Sequence, residues 1–232
     1  MTTIATVLCD LDGTILDTTE LILASFRHAF ASRGEVVPDT LLLEHFGRPL
    51  AESFRRLRPG WSDDEVRQMV GRYLDHNHQE HDGGVSLVPG ADGALHTLRS
   101  LGYRLAIVTS KREAMADHGL TLFGLRALFE VLVHADSTAL SKPDPAPVQY
   151  ALRQMDVPPQ RAVMVGDSPY DMMAAQRAGC HTVGLVHNTF SASDLLGAGA
   201  ERVVSRWDEI PAAIAAVADM GDAATRTAGL GP

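Results

Sequence analysis

Ile4-Ala5-Thr6-Val7-Leu8-Cys9-Asp10-Leu11-Asp12-Gly13-Thr14 decides the reading of this chain. Residues 4–9 are a short apolar run of the kind that forms a buried strand. Two carboxylates one residue apart, then Gly-Thr, stand at the carboxyl edge of a sheet, where open α/β sheets bind their ligands. Side chains alternate along a strand, so Asp10 and Asp12 share a side. Two like charges that close repel unless a cation or a proton lies between them. The pair therefore asks for a metal ion, a protonated acid, or both, which is the equipment for moving a phosphoryl group onto a carboxylate.

The rest of the chain bounds what such a site serves. Its 232 residues bury a real core and hold one large domain or one and a half. A net charge of −9 argues against a general nucleic-acid binder, which needs a basic face. No apolar run has the length to span a bilayer. Met1-Thr2-Thr3 has no basic region and leads straight into the first strand, so a signal peptide is not expected. Cys9 and Cys180 make no secreted framework, and Cys9 reads as a small buried apolar residue. These features predict a cytoplasmic enzyme, monomeric or homodimeric, that touches neither nucleic acid nor membrane.

After the first strand the pattern turns helical. Leu21, Leu23, Ala24, Phe26, Ala29 and Phe30 follow helical spacing, and Leu41 to Phe46 is a further apolar stretch before Gly47-Arg48-Pro49. Ser62, with Glu65 three residues on, reads as a capping box opening a helix through Val66, Met69, Val70, Tyr73 and Leu74. No strand is expected between Ile15 and Gly83. From Val88-Pro89-Gly90 onward, helices over 91–101, 146–155 and 170–178 alternate with strands over 104–109, 131–134, 162–166 and 181–185. The expected fold is α/β: a doubly wound, Rossmann-like parallel sheet over residues 1–15 and 86–232, with an α-helical cap inserted over 16–85. The cap starts directly after the carboxylate pair, placed to cover it as a lid. Crossings near Asp17–Thr19 and Asp82–Gly84 are the expected hinges, with Gly83-Gly84 as flexible points. The Gly-, Ala- and Thr-rich tail after Asp219 is expected to be loose, and there is no internal repeat.

Four short segments close four strands: Asp10/Asp12, then Thr109-Ser110-Lys111, then Ser141-Lys142-Pro143-Asp144, then Gly166-Asp167-Ser168-Pro169-Tyr170-Asp171. In order and character they resemble the haloacid dehalogenase (HAD) superfamily of phosphohydrolases, across the whole chain. The helical insert sits where that superfamily has its small cap. The resemblance implies Asp10 as nucleophile, forming an aspartyl-phosphate, and Asp12 as acid for the leaving oxygen and then base for the hydrolytic water. It implies Mg²⁺ held by the carboxylates of Asp10 and Asp167 and the backbone carbonyl of Asp12. Asp171 stands behind, as an orienting group or a helix cap, and both roles are compatible. Thr109 and the following amides receive a phosphoryl oxygen, beside Ser110. Lys142 pairs with the phosphoryl charge and with the nucleophile. Dehalogenases need neither the acid nor the metal, so Asp12 and Asp167 argue against dehalogenation.

The cap must read the leaving group. Arg48, between two cap helices, is a candidate for a carboxylate or a second phosphate. Lys111 and Arg112 either add charge to the same pocket or only start a helix. Asp75 to Asp82 reads Asp-His-Asn-His-Gln-Glu-His-Asp, with His78 and His81 three apart on one helix face. This stretch, with Thr19-Glu20-Leu21-Ile22, Ser25-Phe26 and His28, resembles the inorganic-pyrophosphatase branch of the superfamily. It makes Asn77 and His81 candidate substrate contacts, against a solvated helix end or a transition-metal site. Phosphoglycolate phosphatases share the core motifs. The expected substrate is therefore pyrophosphate or a small phosphomonoester such as 2-phosphoglycolate. A β-phosphoglucomutase-like phosphosugar mutase is the alternative, and an idle binding module the third reading.

Overall fold

The structure is a computed structural model and describes residues 4–218. In chain order its elements are β1 (Thr6–Cys9), β2 (Leu16–Asp17), α1 (Thr19–Ala31), α2 (Asp39–Leu43), α3 (Leu50–Leu57), α4 (Asp63–Gln79), α5 (His81–Gly84), β3 (Ser86–Leu87), α6 (Ala91–Ser100), β4 (Arg104–Val108), α7 (Glu113–Leu122), β5 (Phe129–Val133), α8 (Ala146–Met155), β6 (Ala162–Gly166), α9 (Pro169–Ala178), β7 (His181–Leu185), α10 (Ala192–Gly197) and β8 (Arg202–Val204). Six strands form one sheet in the order β5-β4-β1-β6-β7-β8, and every pairing in it is parallel. Helices cover both faces, so this is the doubly wound α/β sheet.

Apart from Thr6 the first strand is apolar, because it has no solvent face. It pairs with β4 on one side and β6 on the other. Val7 and Cys9 pack on one face, with Leu95 and Leu98 of α6 and with Ile210 and Ile214. Leu8 packs on the other, with Val148 and Met155 of α8 and Ala174 and Ala175 of α9. Each aliphatic side chain buried this way contributes about 1.5–3 kcal/mol. The alternation continues past the strand end: Leu11 joins the first face, which leaves Asp10 and Asp12 on the other side.

Helices α1 to α4 surround a separate apolar core. Phe26 is its centre, with ring centroids 5.3 Å from Phe54 and 4.9 Å from Tyr73. The capping box at Ser62 and Glu65 opens α4. Two short strands, β2 and β3, pair antiparallel where this unit meets the sheet. That ribbon corrects the expectation of no strand after Ile15, since a two-residue strand is too short to generate an alternating pattern. The sheet also gains β8, an edge strand of three residues, and β5 begins at Phe129 rather than Val131. Gly83-Gly84, expected to be flexible, lies in the short helix α5, with Gly84 against Leu21. The tail after Asp219 lies outside the described residues. Among the described residues, no helix is long and apolar enough to cross a membrane.

Candidate active site

Asp10 follows β1, Thr109 follows β4 and Asp167 follows β6. The chain leaves β1 for β4 and β5 on one side and returns to β6 on the other, so these three ends meet where the strand order reverses. A cavity of about 390 Å³ opens there, between the carboxyl edge of the sheet and helices α1, α3 and α4. Asp10, Asp12, Thr109, Ser110, Lys142 and Asp167 all line it, and from the cap so do Arg48 and Asn77.

Lys142 organises the floor. Its Nζ donates to Asp10 Oδ1 at 2.7 Å, to Asp171 Oδ1 at 2.6 Å and to the Val108 carbonyl at 3.0 Å. Burial works against its charge, but the carboxylates of Asp10 and Asp171 outweigh it and push the pKa up. Asp171 does not line the cavity. Its Oδ2 accepts from the Ser168 hydroxyl at 2.7 Å and from the Ser168 amide, closing the capping box of α9. Asp171 thus caps the helix with one oxygen and holds the lysine with the other.

The carboxylates outnumber that single ammonium. Asp10, Asp167 and Asp171 are buried together, with one oxygen from each within 4.8 Å of the others. Burial raises Asp10 to about 7; Lys142 opposes the shift and Asp171 adds to it. Asp167 is also pushed well up, by burial and by Asp10 and Asp171. Asp10 and Asp167 each accept with Oδ1, from Lys142 and from the Thr14 hydroxyl at 3.0 Å. The Oδ2 of each carries no protein hydrogen bond among the described residues. Gly13, at φ +83°, passes so close that an added Cβ would lie 2.2 Å from Asp167 Oδ2. Two spare hard oxygens, surplus negative charge and a backbone with no side chain in the way suit a small oxygen-seeking dication such as Mg²⁺.

Asp12 is held apart from that cluster. Lys111 donates to its Oδ1 at 2.7 Å, across the mouth of the cavity. The turn that aims Lys111 is local: the Lys111 amide donates to Thr109 Oγ1 at 3.1 Å. The Thr109 hydroxyl therefore accepts from within the loop and keeps its proton for a ligand. Of the two readings of Lys111 in the sequence, the structure supports the added charge. Arg112 also borders the cavity.

Thr14 is fixed from the far end of the chain. Buried Trp207 donates its Nε1–H to the Thr14 carbonyl at 2.7 Å, while the Thr14 hydroxyl holds Asp167. Trp207 escaped the sequence reading, because nothing local signals a contact spanning 193 positions.

On the cap side, Arg48 lies over the Tyr170 ring, 5.1 Å from its centroid, and makes a loose pair with Glu52 at 3.5 Å. Its Nε is buried with no hydrogen-bond partner. Gly47 beside it has φ +76°, and a Cβ there would sit 2.9 Å from Tyr170, so the cap loop rests directly on the core. Asn77 donates to Ser25 Oγ at 3.3 Å and faces the cavity, as does His78. His81 does not. Helix α4 stops at Gln79, Glu80 has φ −96° and ψ 2°, and α5 starts anew at His81. His78 is among the residues that line the cavity and His81 is not. His81 is buried against α7, and its candidacy as a substrate contact is corrected.

The sequence profile of the haloacid dehalogenase-like hydrolases matches residues 7–185 of the chain. The chain belongs to the HAD-like hydrolase family. Among curated relatives, the pyrophosphatase PpaX of Bacillus pumilus is 40% identical over 186 residues, covering 79% of this chain and 83% of that one. The pyrophosphatase PpaX of Halalkalibacterium halodurans is 39% identical over 183 residues, covering 77% and 82%. Among solved structures, a haloacid dehalogenase-like family hydrolase from Streptococcus pneumoniae superposes with a TM-score of 0.81 at 25% identity, covering 91% of this chain and 99% of that one. A predicted phosphoglycolate phosphatase from Haemophilus somnus has the same fold as this HAD-like hydrolase, with a TM-score of 0.80 at 23% identity over 90% of this chain and 97% of that one.

Proposed function

We propose that this HAD-like phosphatase hydrolyses a small phosphate substrate with an anionic leaving group, foremost inorganic pyrophosphate, by way of an aspartyl-phosphate on Asp10. The observation that carries the reading is the Lys111–Asp12 ion pair. It puts a cation on the residue that meets the leaving group, with Arg48 also on the cavity wall. The names of the PpaX relatives point the same way.

Asp10 attacks phosphorus in line, and the bond to the leaving oxygen breaks. Asp12 gives that oxygen its proton. Asp12 then takes a proton from water as the water attacks the aspartyl-phosphate, releasing phosphate and restoring Asp10. The Thr109 hydroxyl and the neighbouring amides hold a phosphoryl oxygen, and Lys142 holds Asp10 in place. Mg²⁺, bound by Asp10 and Asp167 with the Asp12 carbonyl, would neutralise the phosphoryl oxygens. Lys111 occupies Asp12 Oδ1, and the second phosphate of the substrate is the partner that draws it away. The helical unit around α1 to α4 acts as the lid, and Gly47 against Tyr170 marks its closed position. The enzyme works in the cytoplasm, where the buried thiols of Cys9 and Cys180 stay free.

One observation favours a second reading. The cap wall is carbon-lined, by Ile22, Phe26, Val70, Tyr73 and Leu74. That surface suits an organic leaving group such as the glycolate of 2-phosphoglycolate, with its carboxylate on Arg48 or Lys111.

Phosphate release with Mg²⁺ from pyrophosphate, 2-phosphoglycolate, β-glucose 1-phosphate and p-nitrophenyl phosphate separates the readings. The expected result is a kcat/KM for pyrophosphate about tenfold or more above the rest, and no turnover by Asp10→Asn. A preference for phosphoglycolate transfers the assignment to the second reading. Ordinary turnover by Asp10→Asn removes the covalent mechanism.

A further inference from the structure

The histidine-rich end of α4 and α5 is only half used by the active site. Asn77 and His78 face the cavity, but His81 and Asp82 turn the other way, toward His118 on α7. We infer that His81, Asp82 and His118 form a second metal site, for a first-row transition dication of the Zn²⁺ type, at the neck between the helical unit and the sheet.

Three imidazole and carboxylate donors already converge there. Asp82 Oδ1 lies 2.6 Å from His118 Nε2 and 3.2 Å from His81 Nδ1. One ligand atom from each residue lies within 4.8 Å of the other two. Donor atoms around a tetrahedral Zn²⁺ at 2.0–2.1 Å stand about 3.3 Å apart, so the His118–Asp82 contact needs to open by only about 0.7 Å. His118 is free to make that move, being half exposed at 49%. Asp82 is 62% exposed, which leaves a solvent-facing position for a water as fourth ligand.

His81 supplies the fixed donor. Its side chain is 1% exposed, with Nδ1 facing Asp82, and Nε2, on the other side of the ring, has no hydrogen-bond partner among the described residues. Burial pulls its pKa down, toward the neutral imidazole that binds metals. The approach of α7 depends on Gly119, next to His118. An added Cβ at Gly119 would lie 2.7 Å from Leu16 Cδ1 and 3.6 Å from two atoms of the His81 ring. The glycine lets α7 sit flush against the neck and brings His118 within reach of Asp82.

The donor set separates this site from the one at Asp10 and Asp167. Two imidazoles and one carboxylate suit Zn²⁺, Co²⁺ or Ni²⁺, whereas Mg²⁺ prefers a shell of oxygens. The ligands come from both sides of the neck: His81 and Asp82 from α5, beside the cap, and His118 from a helix packed on the sheet. A bound ion therefore ties α5 to α7, and it restrains the crossing on which lid motion depends.

The test is a calorimetric titration of the metal-stripped full-length protein with Zn²⁺, with Mg²⁺ in roughly thousandfold excess over protein to occupy the oxygen site. The expected result is one Zn²⁺ per chain in wild type, weakened about 100-fold in His118→Ala, whose half-exposed side chain is replaced without cost to the core. Co²⁺ in place of Zn²⁺ should show visible bands of imidazole ligation in wild type that disappear in His118→Ala. Zn²⁺ binding that His118→Ala leaves unchanged but Asp167→Asn abolishes would put the ion in the oxygen site and overturn the assignment. The absence of any Zn²⁺ uptake in the presence of Mg²⁺ would overturn it as well.

Discussion

Replacing Lys142 by methionine removes the one cation on the floor while keeping much of its volume. Three bonds go at once: to Asp10 at 2.7 Å, to Asp171 at 2.6 Å and to the Val108 carbonyl at 3.0 Å. Taking one partner from a buried ion pair costs about 3–5 kcal/mol, because the other charge is left uncompensated. Protonation limits that cost. Asp10 already has its pKa near 7. Its share is then at most roughly 1.4 kcal/mol for each pH unit above that value, since it can always take up a proton instead. The sign of the pH dependence follows. Asp10 has a folded-state pKa above its unfolded value, so its ionisation lowers stability as pH rises from about 4 to about 7. The folded-state pKa of Lys142 is also raised, so its contribution is full everywhere below its unfolded value and is lost only at strongly alkaline pH. The deficit of Lys142→Met should be about 3–5 kcal/mol at pH 8 and shrink toward pH 5, where Asp10 holds a proton. Urea unfolding of both proteins in EDTA at the two pH values measures it. The double variant Lys142→Met/Asp10→Asn restores charge balance, and should regain part of the stability but none of the turnover. A deficit that is equal at pH 5 and pH 8, or a double variant no more stable than the single, would show that the lysine is not there to balance these carboxylates.

Gly13→Ala should lose about 1–2 kcal/mol from its φ of +83° alone. Because its Cβ also displaces Asp167, the Mg²⁺ needed for half-maximal activity should rise; an unchanged requirement would mean that Asp167 does not hold the metal. Trp207→Phe removes the bond to the Thr14 carbonyl and should cost about 1 kcal/mol in thermal unfolding. The wild-type melting temperature should rise with Mg²⁺, and rise more at pH 8 than at pH 5, because Asp10 holds a proton at the lower pH and burial pushes Asp167 in the same direction. Lys111→Met should raise KM for pyrophosphate at least about tenfold and leave p-nitrophenyl phosphate nearly unaffected; equal losses on both would remove Lys111 from leaving-group recognition.

The parts of this architecture that were legible in sequence are the parts that local physics dictates. β1 is apolar apart from Thr6 because it is buried on both faces, and the carboxylate pair marks where it ends. Ser62 with Glu65 announces a helix start because a capping box needs only four residues. Ser168 with Asp171 has the same spacing, which is why Asp171 reads both as a cap and as a site residue; its two oxygens serve both. What stayed hidden depends on tertiary placement. Lys111 was ambiguous because its direction comes from a turn around Thr109, not from a periodic pattern. His81 reads as a neighbour of Asn77 and His78 because one helical face is extended across Glu80, where α4 ends and α5 begins, whereas its ring is buried beside His118 of α7. The β2–β3 ribbon escaped because two residues on each side carry no period.

The Lys111–Asp12 contact sets a requirement on the chemistry that goes beyond binding. Lys111 occupies Asp12 Oδ1, on the carboxyl that the proposed mechanism turns toward the leaving oxygen, so in that mechanism the two part in each turnover. The two side chains are 11% and 23% exposed, so an entering ligand can reach the pair. A phosphate or carboxylate on the leaving group offers Lys111 a charge-assisted bond at least as strong, so an anionic leaving group opens the pair with little net cost. A sugar hydroxyl as leaving group offers no charge and leaves Asp12 locked. The same ammonium then reads the leaving group and releases its acid, which is discrimination in kcat as well as in KM. A phosphosugar carries a phosphate of its own, so Lys111 can meet it as it meets pyrophosphate, and a requirement for a sugar bisphosphate is what separates a mutase from the proposed hydrolase.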